Sequence, residues 1–244
     1  MSATHRRSSK ERMLSAISCA RTSEVPCCFM AFQSLRKACR NDFVFFERQL
    51  ELGFDSPDFL HELIGVVAGW ARRRLEIVLD IGVDLVIKRA WYEGTELWSP
   101  ALFQEFIAPV LRDDVALVHS AGARFGYINT SGTRAIFQHL LDLGVDVLIG
   151  VDPVQGVGTH LELFSKWAAG RMCLWGGVSA PMTVEPATQP EPIWEAVERA
   201  VAVCGSRGGF VLSPVDNLFD SSARVWQNVI QFVEAWKRFQ AQSS

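Results

Sequence analysis

Two stretches of the chain share one pattern of apolar and polar positions. Leu79–Ile87 (LDIGVDLVI) and Leu141–Ile149 (LDLGVDVLI) each read as a helix end, a glycine stop and a β-branched apolar run. Glycine suits the position after a helix because it accepts positive φ. The run after it suits a strand buried on both faces. Two copies of this unit predict an alternating β-α architecture.

In that frame the pattern predicts six strands: Val25–Phe32, Val83–Ile87, Phe125–Asn129, Val145–Val151, Met172–Gly176 and Gly209–Ser213. Helical spacing fills the intervals at Asn41–Leu52, Pro57–Ile81, Pro100–Ala121, Thr133–Leu143, Thr188–Cys204 and Ser221–Gln240. Ser99 and Pro100 give one of these helices an N-cap and a first-turn proline. Strands alternating with helices imply a parallel sheet with right-handed crossovers. Neither GxGxxG nor GxxxxGK[ST] occurs, so a dinucleotide or P-loop fold has no support. The expected fold is α/β, a TIM-type (β/α) barrel with about six of its usual eight strands recognisable.

Composition narrows the picture without changing it. The chain has 244 residues, 49% hydrophobic and 21% charged, which is enough for one domain over residues 1–244. A net charge of −3 gives no basic footprint for nucleic acid. The basic cluster at His5–Arg12 reads as a frayed terminus. No apolar run reaches the ~18 residues of a membrane span, and no signal-like apolar region precedes Glu11. A cytoplasmic protein is expected. Four of the six cysteines (Cys19, Cys27, Cys28, Cys39) crowd the start of the chain, and no CxxC pair occurs. Reduced thiols and no structural zinc site follow.

Chemistry in such a barrel stands at the carboxyl ends of strands. That rule selects Lys88, Arg89, Tyr92 and Glu93 after the second predicted strand, Asn129 with Thr130 and Ser131 after the third, and Asp152 after the fourth. Gly176 and Gly177 follow the fifth, and Asp216 with Asn217 the sixth. Each has a plainer reading. Lys88, Arg89 and Glu93 could form a rim ion-pair network. Asn129 could satisfy loop amides. Asp152 before Pro153 could cap a turn. The paired glycines could serve a tight turn or the approach of a ligand to the backbone. Their convergence at five successive strand ends favours a cup for an anionic or carboxylated small molecule. His61, His119 and His139 fall inside helix patterns. His160, just past the Asp152 loop, is the histidine nearest a strand end. No Ser-His-Asp or Cys-His order can be set at adjacent strand ends, which disfavours nucleophilic hydrolysis.

Several segments resemble the uroporphyrinogen decarboxylase superfamily. They are Gly144–Gly156 (GVDVLIGVDPVQG), Leu174–Val178 (LWGGV), Gly208–Asn217 (GGFVLSPVDN), Trp98–Pro109 (WSPALFQEFIAP), and the opening from Lys10–Leu14 through Arg21–Pro26. The resemblance covers about residues 8–53 and 57–238, and implies a barrel with one of two chemistries. The first is cofactor-free decarboxylation of acetate arms on a tetrapyrrole, with Asp152 and Asp216 at the substrate and Lys88 or Arg89 on its carboxylate. The second is methyl transfer with a corrinoid protein, usually with zinc, with Asn129, Asp152 and Asn217 lining the methyl-acceptor pocket. Where zinc methyltransferases of the family carry His-x-Cys, this chain has Asn129-Thr130-Ser131. Where the family carries an arginine-rich motif this chain has Cys27–Arg36, with Arg36 and Arg40 as candidate cations only, and where the family carries a late histidine it has Asn217–Asp220. The join near residues 53–57 runs straight into the family's mid-chain helix, as an internal deletion of two β-α units would. The expectation is a decarboxylase-like lyase without cofactor. The alternatives are a corrinoid-linked methyltransferase and an inactive shortened homologue. The resemblance and the exposed sheet edges also imply a homodimer.

Overall fold

The computed structural model describes residues 51–180, 189–205, 209–215 and 222–242. The strand read at Val25–Phe32, the four early cysteines, and Asp216 and Asn217 lie outside them. The chain divides into two compact units. Among the described residues, one comprises residues 51–89 together with Glu105–Phe125, and the other Ala90–Gln104 with the described residues from Gly126 onward.

In the first unit, helix α1 (Pro57–Asp80) starts with proline in its first turn and buries Leu60, Ile64 and Leu75 on one stripe. It is followed by Gly82 at φ 82°, whose N–H donates to Leu79 O at 2.9 Å. Strand β1 (Leu85–Arg89) comes next. The helix expected over Pro100–Ala121 is three pieces: α2 (Pro100–Leu102), which belongs to the second unit, a π-helical turn (Phe103–Ile107) and α3 (Ala108–Ser120). Pro109 supplies the reason. It lacks the N–H that would bond Glu105 O, and its ring crowds that carbonyl, so the helix widens just before it. Within this unit α3 packs against α1 and buries Leu111, Val115 and Val118.

The second unit holds most of the sheet. Its elements are strand β2 (Arg124–Ile128), a 3₁₀ turn (Thr133–Ala135), α4 (Phe137–Asp142), β3 (Val147–Val151), α5 (Leu161–Ala168), β4 (Cys173–Val178), α6 (Pro190–Cys204), β5 (Phe210–Pro214) and α7 (Ala223–Gln242). β2 begins at the end of the first unit. The strand order is β1-β2-β3-β4-β5, the consecutive order of a (β/α) barrel wall. The ladders are parallel, with Tyr127 beside Leu148, Leu148 beside Leu174, and Leu174 beside Phe210. β1 runs the same way, because Arg124 N donates to Asp84 O and Ala90 N donates to Ile128 O, each at 2.9 Å. α6 packs on β4, β5, α5 and α7, and buries Ile193, Val197, Ala200 and Cys204 at helical spacing. Phe137, Phe164 and Trp167 form an aromatic cluster with ring centroids 4.7 to 6.0 Å apart.

Helix α5 was not foreseen. Eight residues between two loops give a short signal, although Leu161, Phe164, Ser165 and Ala168 are its buried positions at helical spacing. β1 also runs two residues further than expected, so Lys88 and Arg89 belong to the strand rather than to the loop after it. Gly176 and Gly177 likewise lie within β4, since that strand stays paired with β5 up to Val178 and Pro214. Cys173 and Cys204 are free thiols. Burial and the charge of Glu162 push the Cys204 thiol up to about 11, which leaves it unreactive at neutral pH.

Candidate active site at the strand ends

The carboxyl ends of β2, β3 and β4 and the segment Ala90–Ser99 all fall within the second unit. They are joined by side-chain hydrogen bonds rather than held by separate loops. Glu93 N donates to Ala90 O at 3.0 Å and turns the chain back. The turn is held by Trp98, which is buried and donates its indole N–H to Tyr92 O at 3.0 Å. Ser99 then caps α2 by accepting from Leu102 N at 3.2 Å. Gly94 is pressed against the Ser131 carbonyl so closely that a Cβ there would overlap it.

The turn sets Glu93 under the end of β2. The Tyr127 hydroxyl donates to Glu93 Oε2 at 2.7 Å, and both side chains are buried. Burial first, and the neighbouring carboxylate second, hold the Tyr127 phenol well above its ordinary value. A phenolate beside a carboxylate in a dry site is disfavoured on both counts, so Tyr127 remains a neutral donor. Two residues on, Asn129 donates from Nδ2 to Ala90 O at 3.3 Å and accepts from Thr133 Oγ1 at 2.7 Å on Oδ1.

Asp152 follows β3 and is fully buried. Its Oδ1 accepts from Val154 N at 2.8 Å and Gln155 N at 2.9 Å, and its Oδ2 accepts from Ser179 Oγ at 3.0 Å. The carboxylate thus closes its own loop and ties it to the end of β4. The loop is also stitched to β2's end, since Val157 N donates to Ser131 Oγ at 3.3 Å. Gly176 has φ 141°, and a Cβ on it would stand 2.8 Å from both N and O of Val151. At this position the glycine serves contact between neighbouring strands. At the end of β5, Ser213 Oγ accepts from Trp175 Nε1 at 3.0 Å.

The structure therefore brings Glu93, Asn129, Asp152, Gly176 and Gly177 into one unit with their strand-end partners. The Tyr92 side chain is exposed. Lys88 and Arg89 belong to the first unit. Lys88 Nζ lies 3.6 Å from Asp114 Oδ2 of α3, with both side chains buried, and Arg89 is exposed. Asp114 is held above its usual range because burial outweighs the nearby Lys88 charge. His160 stands exposed at the N-cap of α5, and makes no capping hydrogen bond with its side chain. The residues missed from sequence are Tyr127, Thr133 and Ser179. Tyr127 was hidden because it sits inside an apolar strand pattern. Its polar tip marks it, since a buried tyrosine needs a hydrogen-bond partner.

A family model described as "Uroporphyrinogen decarboxylase (URO-D)" matches residues 43–238. The chain belongs to the URO-D family. The resemblance read over residues 8–42 lies outside that match. No curated protein matches the chain. Among solved structures, a methyltransferase from Methanosarcina mazei is similar, with a TM-score of 0.64 and 19% identity over 80% of this chain and 53% of that one. This URO-D family member thus spans about half the length of that methyltransferase, and the likeness is one of fold. A dihydropteroate synthase from Anaplasma phagocytophilum, with bound 6-hydroxymethylpterin-monophosphate, gives a TM-score of 0.49 at 16% identity over 71% of each chain.

The donor set speaks to zinc. Among the described residues, no group of three or more His, Cys, Asp or Glu side chains is placed to hold a metal ion. The position of the family's His-x-Cys is taken by Asn129, Thr130 and Ser131, and the Asn129 amide is already bonded to Ala90 and Thr133. These residues do not fit a thiolate-held zinc.

Proposed function

We propose that this URO-D family chain is a carboxy-lyase acting on a carboxylated, tetrapyrrole-type small molecule, with Glu93 as its proton carrier. The observation that carries the reading is the buried hydrogen bond from Tyr127 to Glu93. Loss of CO2 breaks a carbon–carbon bond and leaves its electron pair on carbon. That carbon must then take a proton. The Glu93 carboxylate relays a proton taken from solvent to that carbon, and is a carboxylate again at the end. The Tyr127 hydroxyl stabilises that carboxylate without giving up its own proton, because burial keeps the phenol neutral. Asn129, bonded to Thr133 and to Ala90 O, holds the turn that carries Glu93. Asp152 holds the loop that walls the site.

A second reading is methyl transfer involving a corrinoid protein, favoured by the fold shared with the Methanosarcina mazei methyltransferase. In that case Glu93 would protonate the group that leaves the methyl carbon, and any activation of the acceptor would need a device other than thiolate-held zinc. One experiment separates the two. The purified chain is incubated anaerobically with uroporphyrinogen and, separately, with a methylcorrinoid and a thiol. Products with fewer carboxylates support the first reading. A change in the corrinoid spectrum supports the second. A folded chain that does neither is the inactive homologue.

A further inference from the structure

Ala90–Ser99, Asn129–Ala135 and Asp152–His160 are the segments that build the strand-end site, and between them they contain one lysine or arginine, Arg134. It lies in the 3₁₀ turn after β2, directly after Thr133, whose hydroxyl donates to Asn129 Oδ1 at 2.7 Å. The Arg134 stem rests on the loop after β3. A Cβ built on Gly158 would stand 3.5 Å from both Cβ and Cδ of Arg134, so the glycine, at φ 73°, leaves the stem its room. Val157, next in the chain, donates its N–H to Ser131 Oγ at 3.3 Å, so turn and loop meet at two places around the arginine. Arg134 is exposed, and among the described residues it has neither a hydrogen-bond nor an ion-pair partner.

We propose that Arg134 is the cation that binds the carboxylate of the substrate at this site. The proposal rests on the carboxy-lyase reading and gives Arg134 the task for which the sequence pointed to Lys88 and Arg89. Lys88 is buried in the first unit beside Asp114, at 3.6 Å. Arg134 instead shares its unit with Glu93 and Asp152, and both of those acids are buried. An anionic substrate that approaches two buried acids is repelled unless a cation answers its charge, and the repulsion grows as water is excluded. Arginine suits the task better than lysine, because its planar fork meets both oxygens of a carboxylate. The surface beside it is apolar. Val154 and Val157, on the same loop as Gly158, are 66% and 64% exposed. A carboxylate on Arg134 with an apolar body over these valines describes an amphipathic acid, not a wholly polar anion such as a sugar phosphate.

Fluorescence titration of the full chain with uroporphyrin, the unreactive oxidised form of uroporphyrinogen, tests this. The wild type binds it. Arg134→Gln weakens binding about tenfold or more, and Arg134→Lys keeps part of the affinity. Lys166→Gln makes the same change of charge on α5 and leaves binding unchanged. Arg134 and Lys166 are both exposed, and circular dichroism confirms that each variant is folded. Affinity unchanged in Arg134→Gln, or lowered equally by Lys166→Gln, overturns the assignment and leaves the carboxy-lyase reading standing. No binding by the folded wild type overturns both.

Discussion

The Tyr127 hydroxyl sits 2.7 Å from Glu93 Oε2, joining the end of β2 to the turn after β1 in a buried phenol–carboxylate pair. The pair costs desolvation of a carboxylate, and one hydrogen bond offsets only part of that cost.

The phenol gives the first prediction. Its value in the folded chain is raised, so between about pH 10 and that value the folded state binds the proton that the unfolded state has released. Stability from this group is full below about pH 10 and falls as pH rises above it. The wild type minus Tyr127→Phe difference in phenolate absorbance should stay flat through pH 10. It should appear only as the chain unfolds.

Lys88 and Asp114 form a buried pair in the first unit. Removing one partner strands the other. Lys88→Met should cost about 3–5 kcal/mol in denaturant melts, whereas Lys88→Met with Asp114→Leu should recover most of it. A double-variant loss equal to the sum of the Lys88→Met and Asp114→Leu losses would show that the pair is not coupled.

Asp152 is fixed by two backbone amides and Ser179. Ser179→Ala should cost about 1 kcal/mol of stability and change turnover little. Asp152→Ala should cost about 2–4 kcal/mol, because two amides and a hydroxyl lose their acceptor. A large loss of turnover in a stable Asp152→Asn variant would instead give Asp152 the direct chemical role expected of it from sequence.

Gly176→Ala should fail for a backbone reason. The added Cβ meets the Val151 backbone at 2.8 Å, and φ 141° is a region that side chains rarely adopt. A loss of 2 kcal/mol or more in thermal melts is expected, roughly twice the ordinary effect of a substitution.

The repeated LDIGVDLVI pattern made the architecture legible, because a buried parallel strand and a glycine-stopped helix both leave local marks. Gly82 and Gly144 both adopt the positive φ that the pattern requires. The boundaries were less legible. Lys88 and Arg89 look like loop residues, yet Ala90 still bonds to Ile128, so pairing with a neighbour extends β1 past its apolar run. The break in the helix after Ser99 was readable in principle from Pro109. At the site, Glu93, Asn129 and Asp152 were visible as polar residues after apolar runs. Their partners were not. Tyr127 alternates with core residues, and Ser179 lies 27 positions from the carboxylate it bonds. Such pairings are set by which strands become neighbours, and no local pattern reports them.

The most direct test is the rate of CO2 release from uroporphyrinogen by the wild type, Glu93→Gln and Tyr127→Phe, each shown to be folded. The account predicts measurable release by the wild type. It predicts a loss of about 10²- to 10⁴-fold in Glu93→Gln and a smaller loss in Tyr127→Phe. No release by the folded wild type, or equal rates in all three, would contradict it.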